Sequence, residues 1–237
     1  FVDVPIDKII SKEYAEDRYS TISYRKAIPS KKINHGIIDW NEESEETTHF
    51  SVVDQYGNSV SLTTTINGSF GNAITVDKAG FLLNNEMDDF SIKPGHPNMY
   101  GLVGNKANSI ESGKRMLSSM TPTIVEDNKG DLFMVLGSPG GSTIITTVTQ
   151  VLVNLIDFKM SLKEAVESKR FHHQWLPDII QTEKHSFSPD LTKVLNKYGH
   201  NVKIRSSIGE VNCIMLDPQG LKHACSDSRR GGVSIAY

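Results

Sequence analysis

The chain lacks most of the features that mark a membrane, nucleic-acid or metal protein. No apolar run in its 237 residues approaches the roughly 18 that a membrane helix needs. Positive charge is in short supply: 25 Lys and Arg stand against 28 Asp and Glu, for a net charge of −3. That balance leaves no basic footprint for a phosphate backbone, so a nucleic-acid partner is excluded. No Gly-Lys-Ser/Thr phosphate loop, His-Glu-x-x-His helix or Cys-x-x-Cys pair occurs. The adjacent His172 and His173 have no such partner motif, and no metal site is expected. There is no internal repeat and no low-complexity tract. The chain opens on Phe1 rather than methionine, no secretory leader is read there, and it is expected to be a piece of a longer or processed chain.

Cysteine is nearly absent as well. Cys213 and Cys225 flank Asp217-Pro218-Gln219-Gly220, a turn between two short apolar runs. A two-residue hairpin loop there would set Cys213 opposite Ala224 and turn Cys225 to the other side of the sheet, which does not favour a disulfide.

What is present is a core-forming composition, 38% hydrophobic and 22% charged, enough for one large domain or two small ones. The pattern changes sharply at one point. Residues 7–19 have helical spacing, followed by an exposed linker that ends in the acidic run Glu42-Glu43-Ser44-Glu45-Glu46. From Thr47 onward the chain reads as strands. His49 and Ser51 fall on one side of an alternating segment, Phe50 and Val52 on the other. The segments 49–54 and 59–65, joined by the turn Gln55-Tyr56-Gly57-Asn58, form a hairpin whose open end brings Thr65 to Thr47. A threonine at a strand start is ordinarily a β-former. Freed at its own N-terminus, it carries a hydroxyl nucleophile and an α-amine base in one residue.

Three further stretches carry polar groups in unusual company. Asn84-Asn85-Glu86-Met87-Asp88-Asp89-Phe90 reads either as a solvated turn or as a pocket wall whose carboxylates grip a cation. Residues 92–105 are too rich in Pro and Gly for regular structure, and a loop this long in a compact domain is often a lid, with Tyr100 its functional side chain. Gly137-Ser138-Pro139-Gly140-Gly141-Ser142 follows an apolar strand and opens a helix over 144–156. A helix N-terminus behind a glycine loop presents backbone N–H groups to negative charge, and an oxyanion hole is the best match. Ser161 with Glu164 forms a capping box, and 188–198 is an amphipathic helix closed by Gly199. Two packed sheets with helices outside fit the element count.

Five motifs then carry a resemblance: Thr47-Thr48-His49-Phe50-Ser51-Val52-Val53-Asp54, Leu83-Asn84-Asn85-Glu86-Met87-Asp88-Asp89-Phe90, Leu117-Ser118-Ser119-Met120, Gly137-Ser138-Pro139-Gly140-Gly141-Ser142 and Arg170-Phe171-His172-His173-Gln174-Trp175-Leu176-Pro177. In this order they resemble the small subunit of the γ-glutamyltranspeptidases, or glutathione hydrolases, with residues 1–46 similar to the tail of that family's large subunit. The resemblance implies an α+β fold, part of the αββα sandwich of N-terminal-nucleophile hydrolases, with the remainder supplied by a missing large subunit. It implies self-cleavage between Glu46 and Thr47, a small catalytic subunit over 47–237, and Thr47 as nucleophile with Thr65 bonded to it. Asn67, Glu86 and Asp89 match the residues that hold the substrate's α-amino group. Ser118 and Ser119 match donors to its α-carboxylate, Gly140 and Gly141 the oxyanion hole, and Tyr100 the lid tyrosine that closes over Asn67. The arginine that clamps the α-carboxylate belongs to the large subunit, and no arginine of this chain takes that role. Implied substrates are glutathione and other γ-glutamyl compounds, with water, amino acids or dipeptides as acceptors. No cofactor is implied, and the location would be periplasmic or secreted. Two other readings stand beside this one: a different N-terminal-threonine amidase such as an acylase, and an uncut, inactive fragment that only binds its missing partner.

Overall fold

The computed structural model describes residues 5–33, 47–98, 102 and 104–236. Glu46, Tyr100 and the acidic run 42–46 lie outside the described residues.

The chain begins with α1 (Ile6–Ile9) and α2 (Lys12–Ser20). The single helix expected over 7–19 is two, because the Ser11 hydroxyl accepts from Tyr14 N–H and caps a fresh start. Next come β1 (Thr48–Val53) and β2 (Ser59–Thr64), an antiparallel hairpin in which Thr48 pairs with Thr64. A small pair follows, β3 (Thr75–Val76) with β4 (Phe81–Leu82). The rest is β5 (Thr123–Glu126), β6 (Leu132–Gly137), α3 (Thr143–Ile156), α4 (Leu162–Glu167), β7 (Phe171–His172), β8 (Ile180–Glu183), α5 (Pro189–Tyr198), β9 (Val202–Arg205), β10 (Asn212–Leu216) and β11 (Lys222–Ser226). The expected capping box at Ser161 and Glu164 is present, and Gly199 ends α5 in the left-handed region. The strands β7 and β8, which sequence reading did not distinguish, form a three-stranded sheet with β9.

The architecture is layered. The main sheet runs β11-β10-β6-β5. On one face lie α3 and α4, which bury Ile144, Val148, Val151, Leu155, Leu162 and Val166 against Met134, Leu136 and Val211. On the other face lies the hairpin β1–β2, a second sheet turned toward the first. Its inward residues are short and polar, and they bond across the layers. The Ser61 hydroxyl donates to Leu136 O and accepts from Thr123 N, and the Ser51 hydroxyl donates to Asn212 O. The buried His49 ring lies so close to Gly137 that a Cβ there would meet it at 2.2 Å, which is why β6 ends in glycine. The outward residues Phe50, Val52, Val60 and Leu62 are exposed apolar side chains.

The cysteine expectation is corrected. Cys213 pairs directly with Cys225, and both are free thiols. The connecting loop is longer than two residues because the Asp217 carboxylate accepts from Gln219 N and Leu221 N, which widens the turn and shifts the register by one. Cys213 Sγ then donates to Cys225 O at 3.4 Å.

The segment before the hairpin is tied to the far end of the chain. Ala27 N donates to Tyr198 O, Ser30 N to Asp178 Oδ2 at 2.8 Å, and the Trp175 indole N–H to Ser30 O and Ile33 O.

Candidate active site

The register of the hairpin fixes the first relationship. With Thr48 opposite Thr64, Thr47 and Thr65 continue the two strands at their open end. The Thr65 hydroxyl accepts from Asn67 N at 2.8 Å, which fixes its orientation just past the strand. Both threonines line one cavity of about 420 Å³.

Three loops complete the walls, and asparagine side chains stitch them together. Asn67 is buried, in a left-handed conformation (φ 71), and donates from Nδ2 to Asn85 O. Gly68 N donates to Asn85 Oδ1, and Asn85 N to Ile66 O. These bonds bring the turn after β2 against the acidic segment, where Glu86–Asp89 forms a single 3-10 turn. The Asn108 side chain donates to Asp89 O and accepts from Leu117 N, so Ser118 and Ser119 arrive beside Asp89. Asn67, Asp89, Ser118 and Ser119 line the cavity together with Lys93, His96, Gln174 and Trp175.

Glu86 stands beside Asp89 rather than on the cavity lining, and its Oε1 is buried without a hydrogen-bond partner among the described residues. Burial, then the charge of Asp89 and a hydrogen bond to it, raise the Glu86 pKa to about 7. Burial, its largest cause, raises Asp89 as well. Two half-buried carboxyl groups this close disfavour each other's full ionisation.

The glycine loop shows how its amides are aimed. The carbonyl of Gly140 accepts from Thr143 N (2.9 Å) and from the Thr143 hydroxyl (2.7 Å), so it points into the start of α3. Across a planar trans peptide, the N–H of Gly141 points the opposite way. The carbonyl of Pro139 is likewise held by the Ser138 hydroxyl at 2.6 Å, which turns the Gly140 N–H outward. Gly140 and Gly141 have φ of 135° and 51°, which side chains rarely adopt. Gly141 and Ser142 line the cavity, and Gly140 sits directly behind them.

The arrangement joins a hydroxyl at a strand end, a second hydroxyl behind it, backbone donors at a helix N-terminus and a close pair of carboxyl groups. Of the ten predicted site residues, Tyr100 lies outside the described residues, and the other nine fall in or beside one cavity. Sequence reasoning missed Asn85 and Asn108, which stitch the loops, and Gln174, which bonds Ser142. Asn85 and Gln174 stood inside quoted motifs but without a role, and Asn108 carried no signal. Among the described residues no three His, Cys, Asp or Glu side chains gather as a metal would require. No helix among them is long and apolar enough to cross a membrane.

Two facing sheets with a threonine at the open edge of one define the N-terminal-nucleophile hydrolase fold. Within that class the chain belongs to the γ-glutamyltranspeptidase family, whose model matches residues 1–237. It is 48% identical over 229 residues to the glutathione hydrolase proenzyme of Escherichia coli, covering 97% of this chain and 39% of that protein. A crystal structure of the Helicobacter pylori γ-glutamyltranspeptidase T380A mutant is 53% identical, with a TM-score of 0.74 over 77% of this chain and all of that one. An acivicin-inhibited γ-glutamyltranspeptidase, described as revealing roles for its C-terminus in autoprocessing and catalysis, is also 53% identical, with a TM-score of 0.75 over 78% of this chain and all of that one. The chain therefore spans about two-fifths of the curated relative's length.

Proposed function

We propose that this chain is the catalytic part of a γ-glutamyltransferase that also hydrolyses glutathione. The observation that carries the proposal is the shared cavity of Thr47, Thr65, Asp89 and Gly141. In the first step Thr47 Oγ attacks the carbonyl carbon of Glu46, and its proton passes to the departing Thr47 nitrogen. Water then cleaves the ester, leaving a Glu46 carboxylate and a free α-amine on Thr47. Residues 1–46 then end one subunit and 47–237 form the other. That division is supported by the two solved chains, each matched in full by about three-quarters of this one.

In turnover the Thr47 amine takes the hydroxyl proton as oxygen attacks the γ-glutamyl amide carbon. The oxyanion forms against the N–H groups of Gly140 and Gly141. Nitrogen leaves with the proton, giving a γ-glutamyl ester and cysteinylglycine. Water or the amine of an amino acid or dipeptide then takes the γ-glutamyl group in a ping-pong cycle. Glu86, Asp89 and Asn67 receive the substrate's α-ammonium, and Ser118 and Ser119 donate to its α-carboxylate. The family resemblance gives Tyr100 the part of the lid tyrosine. The acidic pair favours this substrate over the neutral acyl group of an acylase. A large subunit supplies the arginine for the α-carboxylate and covers the outer face of the hairpin. The exposed Phe50, Val52, Val60 and Leu62 support such a cover. The family resemblance supports a periplasmic or secreted location.

The test is intact mass with N-terminal sequencing of the full-length gene product, followed by assay with γ-glutamyl-p-nitroanilide. A new N-terminus at Thr47 and release of p-nitroaniline are expected. An uncut, inactive product sinks the reading.

A further inference from the structure

Ser142 occupies the N-cap position of α3 but does not cap it: its side chain makes no bond to the first turn. A serine there ordinarily spends its oxygen on the N2 or N3 amide. Here the hydroxyl donates instead to Gln174 Oε1 at 2.6 Å. The same Gln174 oxygen lies 2.9 Å from His172 Nε2, and His172 Nδ1 lies 2.8 Å from the Thr146 hydroxyl, one turn further along α3.

The protonation pattern follows from the partners. His172 is buried, and burial lowers its pKa, so the ring is neutral. An amide oxygen only accepts, so Nε2 carries the ring proton, and Nδ1 shares the single Thr146 hydroxyl proton with Thr143 O, 3.0 Å from that hydroxyl. Gln174 Oε1 thus receives two donors, which fills both lone pairs. Its Nε2 is buried with no hydrogen-bond partner among the described residues. The two bonds to the oxygen offset the cost of that unmet N–H and hold the amide in this orientation. The result is a loop of bonds that leaves α3 at Thr146, crosses to His172 and Gln174 beyond α4, and returns to Ser142. Ser142 directly follows Gly141.

We propose that Gln174, oriented by His172, is a positioning residue for the Gly140–Gly141 amides. It acts through Ser142 and holds the amides where the oxyanion forms. The inference rests on the reading of Thr47 as nucleophile and of those amides as its oxyanion hole. It gives a task to the Arg170–Pro177 motif, whose Gln174 reaches the cavity wall.

A misplacement of donors acts on the transition state and leaves ground-state binding alone, so kcat falls while KM holds. The experiment uses the full-length gene product, with kcat taken per cleaved Thr47 terminus and Tm recorded alongside. Gln174→Met keeps the side chain's length and removes the acceptor. A fall in kcat of about tenfold or more is expected, with KM within about twofold. Ser142→Ala is expected to give a similar fall. Because both break one bond, the double variant should lie within about twofold of the worse single. A role in stability alone would shift Tm and the cleaved fraction without changing kcat per terminus. Wild-type kcat in cleaved Gln174→Met, or losses that multiply in the double variant, overturns the proposal. If Gln174→Met fails to fold, Thr146→Val carries the test from the far end of the loop. It should lower kcat a few-fold at constant KM, and an unchanged kcat overturns the proposal. Thr47→Ala separates the two claims. If it stays active, the nucleophile reading falls and the positioning role with it; if it is dead while Gln174→Met turns over normally, only the positioning role falls.

Discussion

The guanidinium of Arg170 lies 2.8 Å from the carboxylate of Asp227, and both side chains are sealed from solvent. Asp227 also accepts from Val211 N and from Arg229, whose fork closes on Glu183 at 2.6 and 2.7 Å. Arg170 further donates to Ile208 O and Val166 O. Four charges thus tie the stretch after β11 to α4, to β8 and to the segment before β10. Removing one member strands another buried charge, which typically costs about 3–5 kcal/mol. Asp227→Asn is therefore expected to lower the urea midpoint by that equivalent. A loss under about 1 kcal/mol would mean that water or rearrangement satisfies Arg170. The network also predicts acid lability. Burial pushes Glu183 up, but the hydrogen bonds from Arg229, Arg170 and Ile208 outweigh it, and its pKa is lowered. A depressed carboxyl contributes stability above its unfolded value, near 4.5, and loses that contribution as pH falls through the folded value.

The acidic pair predicts a pH limb. The substrate's ammonium is received best when both Glu86 and Asp89 are ionised, and burial and Asp89 hold Glu86 at about 7. Below that pH the pair keeps a proton and loses attraction for the ammonium. kcat/KM for a γ-glutamyl substrate should therefore fall by up to about tenfold per pH unit below 7, while kcat is flatter. Glu86→Gln, neutral at every pH, should remove the limb. A limb that persists unchanged in Glu86→Gln would assign it to another group.

The hairpin, the glycine loop before α3 and the cap of α4 were legible because each rests on local chemistry: alternation, turn residues and a capping box. The meeting of Thr47 with Thr65 followed from strand pairing alone. The gathering of Asn67, Asp89 and Ser118 did not, because it depends on the side chains of Asn85 and Asn108 bonding to backbone far away in sequence. An asparagine looks the same in sequence whether it sits in a solvated turn or stitches two loops. The cysteine register failed for a related reason: Asp217 recruits two extra amides into its turn, which strand periodicity does not register. β7 and β8 were hidden because β7 is only two residues long and β8 finds its longer pairing with β9, in parallel across the α5 crossover.

The two threonines should separate by function. Thr47→Ala removes the only hydroxyl proposed to attack, so the precursor should stay one chain with no turnover. Thr65→Ala leaves the nucleophile but not the hydroxyl that continues β2 beside it. Cleavage and kcat are both expected to drop about 10²-fold, the lower end for loss of a proton-positioning group. Thr65→Ser should recover most of either rate. Mass spectrometry over a time course reads the first effect and p-nitroaniline release the second. Wild-type rates in Thr65→Ala would remove Thr65 from the mechanism.

His49 and Gly137 make the most restrictive contact between the two sheets. A Cβ on Gly137 would lie 2.2 Å from Cε1 of the ring and 2.4 Å from Nδ1. The ring has little freedom to retreat, because Nδ1 lies 2.8 Å from the Thr63 hydroxyl and Nε2 lies 3.1 Å from that of Ser51. Gly137→Ala should therefore destabilise by about 3 kcal/mol, the upper end of ordinary overpacking. His49→Ala makes room at the cost of its own cavity and bonds. In that background Gly137→Ala no longer meets a ring, so the double variant should be no less stable than His49→Ala alone. Burial also lowers the His49 pKa to about 4, against about 6.5 unfolded. The wild type should lose stability as pH falls from about 6.5 toward 4, because the unfolded chain takes up a proton that the folded one refuses. His49→Ala should lose less over the same window. Denaturant midpoints of all four proteins at pH 7.5 and pH 5 test both statements. Additive losses at pH 7.5 would break the claimed contact, and equal pH slopes would show that some other group carries the acid sensitivity.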